Sequence, residues 1–436
     1  MPPNAKSKAK PTGVTVFAYQ VGFGDCFLVR FRYPGGNRHV LIDFGTFELP
    51  KGAKGGYMKS VAADIKTRCG GKLDAIVATH RHKDHISGFA TGKGGQGSGD
   101  IIASCAPRVV VQPWTEDPKA KPNARKPTRV LSGSKAFVAA LEDIHRFAGS
   151  LRREAAALRA QGNAALAKRL DFLGGNNLKN RSAVENLMRM GRAKGRTAAY
   201  VHFGSTSGLT RVLPGVKVRV LGPPTLEQTS EILSQDEENR DEFWHLRADA
   251  ASRLARRIAT FRNAAVYDQA KRPPYVRWTL RRLRALRERE LLQIVREMDD
   301  VLNNTSVILL FEVGSKRLLF PGDAQLENWM YALSRADVRK LLRTVNLYKV
   351  GHHGSLNATP KSLWKLFDRR SEQRSDGNRL RTVVSTKAGV HGSTGNKSEV
   401  PRTTLVTELE KNSEFLSTES LTQAGVQFLE IDIPVR

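Results

Sequence analysis

Short apolar runs that close on a polar or ionisable residue recur along this chain. They predict strands whose carboxyl ends deliver chemistry. Val40-Leu41-Ile42 ends in Asp43, and Leu73, Ala75, Ile76, Val77 and Ala78 run into Thr79-His80-Arg81-His82-Lys83-Asp84-His85. Leu318-Leu319-Phe320 leads through Pro321-Gly322 to Asp323, and Leu347-Tyr348-Lys349-Val350 leads through Gly351 to His352-His353. Elsewhere the period changes. Leu151, Ala155, Leu158, Leu166 and Leu170 recur at near-helical spacing, as do Leu280, Leu283, Leu286, Leu291, Ile294 and Met298. We therefore expect one α/β domain over 14–436 with helical insertions at about 125–200 and 226–300. The preceding residues, 1–13, read as a disordered basic tail.

The block from His80 to His85 carries the strongest chemistry. Histidine nitrogen and carboxylate oxygen are the usual ligands of hydrolytic zinc-like cations. A strand ending in a tight turn can aim His80 and His82 at one ion while Asp84 and His85 face a second. A single histidine beside an apolar run is more often just hydrogen-bonded, but H-x-H-x-D-H after a buried strand has few structural uses. Four residues are too few for two ions, so further ligands are expected.

This block resembles the signature of the metallo-β-lactamase superfamily, and the later strand ends follow the family's order. The resemblance implies an αββα sandwich with a binuclear metal centre at one edge of its two sheets. It implies that His80, His82 and Asp323 hold the first ion and that Asp84, His85, Asp323 and His353 hold the second, with Asp323 as the bridge. Asp43 would brace the metal loop from behind the ligands. Gly22-Phe23-Gly24-Asp25-Cys26-Phe27-Leu28, Asn303-Asn304-Thr305-Ser306-Val307 and His352-His353-Gly354-Ser355 are similar to the hydrolase domain attached to the bacterial DNA-uptake channel ComEC, over about 14–113 and 212–436. The family's usual third histidine is missing: the corresponding strand, Val216-Lys217-Val218-Arg219-Val220-Leu221, runs into Gly222-Pro223-Pro224. His202 and His245 are the spare candidates.

Charge bears on the partner. Lys plus Arg number 71 against 42 Asp plus Glu, a formal net charge of +29, and such a field attracts polyanions. Arg277, Arg281, Arg282 and Arg284 stand opposite a leucine stripe with few acids to pair them, so they are candidate phosphate contacts. Three widely spaced cysteines give neither a disulfide framework nor a C-x-x-C site. With no apolar signal or membrane-spanning segment, a cytoplasmic protein is expected. The expected function is metal-dependent phosphodiester hydrolysis of nucleic acid, DNA favoured, using two divalent ions, zinc or alternatively manganese. Asp84 would orient the attacking water, while His352 and His391 are candidates for phosphate contact or leaving-group protonation. The alternatives are a phosphodiesterase on a small nucleotide and a non-catalytic nucleic-acid-binding subunit with a degenerate metal centre.

Overall fold

The structure, a computed structural model, describes residues 10–117, 181–225, 227–229, 303–355, 359–391 and 399–435. Its contacts divide the chain into two units: Met1–Asp117 with Lys179–Ile232 and Asn303–Arg436, and Pro118–Leu178 with Leu233–Leu302. The second unit, with His245 and the four arginines named above, lies outside the described residues.

The first unit is mixed α/β with two mixed sheets. In the first sheet β1 (Gly13–Tyr19), β2 (Cys26–Arg32) and β3 (Arg38–Phe44) run antiparallel. Parallel strands β4 (Ala75–Val77), β5 (Val109–Pro113) and β6 (Thr197–Val201) follow on the far side of β3. The second sheet repeats this plan. Strands β7 (Val216–Gly222), β8 (Ile308–Val313) and β9 (Lys316–Phe320) are antiparallel, and β10 (Leu347–Lys349), β11 (Arg381–Val384) and β12 (Glu414–Ser417) continue parallel to β9. The last strand, β13 (Phe428–Pro434), returns to the first sheet as the antiparallel neighbour of β1.

Alternation along the strands builds the core between the sheets. Val14, Val16 and Ala18 of β1 and Phe27, Val29 and Phe31 of β2 share one apolar cluster with Leu309, Phe311 and Val313 of β8 and Phe320 of β9. Truncating a buried phenylalanine such as Phe27 or Phe311 to alanine costs about 3–5 kcal/mol. The opposite face of the second sheet, with Ile308, Leu310, Leu319 and Tyr348, is covered by helices. These are α6 (Leu326–Ser334), α7 (Ala336–Arg343), α8 (Lys361–Leu366) and α9 (Thr403–Asn412), which contribute Trp329, Leu342, Trp364 and Leu409. Because both faces of these strands are covered, they read as almost unbroken apolar runs.

The earlier helices are α1 (Tyr57–Arg68), α2 (Lys83–Ile86), α3 (Ser98–Ser104), α4 (Arg181–Arg192) and α5 (Leu209–Val212). α4 and β6 fall in the stretch expected as the first helical insertion, yet β6 pairs with β5 throughout Val109–Pro113. Asn186 of α4 is buried and donates to the carbonyls of Phe89 and Gly99, which fixes that helix over the segment after the histidine cluster. The glycine-rich stretch Thr91-Gly92-Lys93-Gly94-Gly95-Gln96-Gly97-Ser98-Gly99 is tied as well: Asp100 Oδ2 accepts from the backbone of both Gly92 and Gly97. No helix among the described residues is long and apolar enough to cross a membrane.

Candidate metal centre

The two sheets share a design at the place where each changes from antiparallel to parallel pairing. β3 and β9 are the switching strands, and their carboxyl ends carry Asp43 and Asp323. The next parallel strands, β4 and β10, lead into His80–His85 and His352–His353. Carboxyl ends at such switch points form a crevice in open α/β sheets.

Sharp backbone turns bring these side chains together. His82 accepts at its carbonyl from the amides of His85 and Ile86, opening the single turn α2 that carries Asp84 and His85. Arg81, between the two histidines, makes a two-toothed contact with Glu116 at 2.8 and 3.0 Å. That contact anchors the loop to the end of β5. The backbone around Asp84 and His85 presses against Gly45, where an added Cβ would lie 2.5 Å from their main-chain atoms. Three of the four non-glycine residues with positive φ among the described residues are Asp43, His352 and His353, at 54°, 44° and 51°. Such left-handed geometry costs free energy and persists where the surroundings over-determine it.

Two groups of potential ligands share Asp84. Asp84, His85, Asp323 and His353 form one, and His80, His82 and Asp84 form the other; within each, ligand atoms lie within 4.8 Å of one another. All six side chains are buried. The four-membered group is the set expected for the second ion. In the three-membered group Asp84 stands where Asp323 was expected. His353, rather than His352, turns inward: its Nε2 is 3.1 Å from Asp84 Oδ2 and 3.6 Å from Asp323 Oδ2. Asp43 accepts from the Thr79 amide and hydroxyl at 2.7 Å each and from His85 Nδ1 at 2.8 Å.

The donor set fits a metal. His85 Nδ1 faces a carboxylate, and His353 Nδ1 faces the Ser385 carbonyl at 2.9 Å; both partners only accept, so each Nδ1 carries the proton. Each Nε2 is thereby left as a ligand atom, held by the outer partner typical of metal-binding histidines. His85 Nε2 lies 3.0 Å from Asp323 Oδ2. Asp84 Oδ1 is buried with no hydrogen-bond donor, a carboxylate oxygen whose natural partner is a cation.

Electrostatics point the same way. Burial, with His85 next, drives His80 well below the usual histidine range; burial moves His82 down to about 4. Both are neutral imidazoles ready to donate lone pairs. Burial also works against charge on His85 and His353, but Asp323 and its neighbouring carboxylates outweigh it and raise both. Burial raises Asp84 and Asp323, yet the hydrogen bond from His353 and the nearby His85 hold Asp84 down at about 2, and His85 and His353 hold Asp323 well below the usual carboxylate range. The pocket demands positive charge, as protons or as metal. These buried groups could hold a metal ion.

The other candidates stand apart. His352 is kept neutral by burial, and its Nδ1 has no hydrogen-bond partner, but it belongs to neither group. His391 bridges to Val400 by its backbone, outside both groups. His202 has Nδ1 3.0 Å from the carbonyl of its neighbour Phe203 and joins neither group. The end of β7 supplies carbonyls only: Pro223 accepts from Phe203 and Pro224 from Trp114.

Sequence reasoning attached no role to Asp25 and Lys349, which both reach the centre. The Lys349 ammonium pairs with Asp25, lies 3.5 Å from Asp323 Oδ1 and donates to the Gly322 carbonyl at 3.2 Å. Burial lowers this lysine, but Asp25 and Asp323 more than offset that and keep it charged. The available signal was a lysine inside the apolar run Leu347-Tyr348-Lys349-Val350. No family model matches this sequence, and no curated protein matches it.

Proposed function

We propose that this chain is a metal-dependent phosphodiester hydrolase acting on nucleic acid, DNA in preference, with the αββα architecture and binuclear centre of the metallo-β-lactamase superfamily. The observation that carries the reading is the convergence of His80, His82, Asp84, His85, Asp323 and His353 from loops of both sheets into two groups sharing Asp84. Imidazole with carboxylate suits zinc, and manganese is the alternative. When bound, such ions polarise a phosphoryl oxygen and stabilise the charge that develops on it.

The chain's own groups have distinct tasks. Asp84, held at about 2, is too weak a base to keep a proton near neutral pH, so it accepts a hydrogen bond and orients the attacking water. His352 has an unengaged Nδ1 and can hydrogen-bond a phosphate oxygen. Asp43 fixes the ring of His85, and Ser385 that of His353. A net charge of +29 supports a polyanionic substrate over a small nucleotide, for which so much basic surface has no use.

Metal analysis and turnover of labelled DNA test this together. The expected protein carries close to two transition-metal ions and cleaves DNA only with them. Asp84→Ala should abolish cleavage while leaving DNA affinity within about twofold, because basic residues elsewhere supply the binding. Binding without metal-dependent products under any cation would leave a nucleic-acid-binding subunit in place of the enzyme.

A further inference from the structure

Resting on the two-ion centre proposed above, we infer that Lys349 is an internal cation that sets which oxygen of Asp323 faces the metal site. It fills the Asp25 carboxylate and restrains Oδ1 of Asp323, leaving Oδ2 toward His85 and His353.

The two oxygens of Asp323 have different surroundings. Oδ1 accepts from the His352 amide at 3.0 Å and faces the Lys349 ammonium at 3.5 Å. Oδ2 faces His85 Nε2 at 3.0 Å and His353 Nε2 at 3.6 Å. Restrained in this way, Asp323 would present Oδ2, together with His85 Nε2 and His353 Nε2, to an ion held by that group.

Lys349 also closes off a competing site. Asp25, Asp43 and His85 form a third buried group with ligand-like spacing. Asp25 is already paired with the ammonium, and Asp43 with Thr79, so a third ion would have to displace an internal cation. Asp25 follows the first glycine turn, and Lys349 ends β10 three residues before His352. Asp25 is also locked to the metal loop, its amide donating to the Asp84 carbonyl at 2.8 Å. Lys349 is thus a positioning residue, acting through Asp323.

Two variants separate this role from that of a buried ion pair. Asp25→Asn keeps Lys349 beside Asp323, whereas Asp25→Asn with Lys349→Met removes both charges of the pair and leaves neither charge unpaired. Zinc affinity is read by competition with a chromophoric chelator, and apo stability by thermal melting. Asp25→Asn should retain two zinc ions per chain. The double variant, folded in the apo form, should hold its weaker zinc about 10–100-fold less tightly, the usual scale for losing an outer partner of a metal ligand. Equal zinc binding by the two variants would overturn the assignment and leave Lys349 a structural pair. A wild-type chain that takes up no zinc or manganese would instead sink the two-ion reading, and this inference with it.

Discussion

His39 shows how a single side chain in this fold couples burial to acid sensitivity. It lies in β3 with 5% of its surface exposed, its Nε2 lacks a hydrogen-bond partner, and burial followed by the nearby Arg30 lowers it to about 4. An unfolded histidine titrates near 6.5. Between those values the unfolded chain binds a proton that the folded chain refuses, so stability falls as pH drops from about 6.5 to about 4 and loses nothing further from this group below that. The contribution is on the order of 3 kcal/mol. Urea melts of wild type and His39→Gln across this range should diverge, the variant showing the flatter curve; parallel curves would remove His39 as the cause. The same scale shows what could be read beforehand. The block from His80 to His85 stood out because H-x-H-x-D-H after a buried strand has few structural uses, whereas Asp323 and His353 were singled out only by their place in the order that the resemblance implies. Asp25 and Lys349 were not legible, because their meaning depends on each other across more than three hundred positions, and neither stands at a recognisable ligand spacing.

Among the elements, the strands leading into the site were visible as apolar runs, since both their faces are covered. β6 was not. Thr-Ala-Ala-Tyr-Val follows a basic helical stretch, and its partner β5 lies on the other side of residues 118–178, so local pattern could not reveal the pairing. Nor did the sequence announce that the antiparallel-to-parallel plan of the first sheet recurs in the second. The helix expected around Arg277–Arg296 falls outside the described residues and belongs to the proposed nucleic-acid contact. Replacing Arg281, Arg282 and Arg284 together should weaken DNA binding on every sequence and flatten log affinity against log salt by roughly 0.7–0.9 per lost phosphate contact. Titrations at several salt concentrations decide it, and unchanged slopes would take these arginines off the binding surface.

At the scale of the whole molecule, an ion held by groups from the β4 and β10 loops would cross-link the sheets. Asp84 and His353 meet although they are 269 positions apart. A ligand at a hundredfold excess over its Kd stabilises the folded state by about 2.7 kcal/mol, which for a domain of this size is roughly 3–4 °C in Tm. Chelation should lower the melting temperature by that much in wild type and barely at all in Asp84→Ala, as scanning calorimetry can measure. The pairing of β1 with β13 has a different consequence, for synthesis. Val14 lies opposite Ile433, 419 positions later (433 − 14). A ribosome adding about 5–20 residues per second needs roughly 20–80 s to make that interval. Throughout it, one edge of β1 waits for its hydrogen bonds, and a chain released before Phe428 keeps that edge open to other strands.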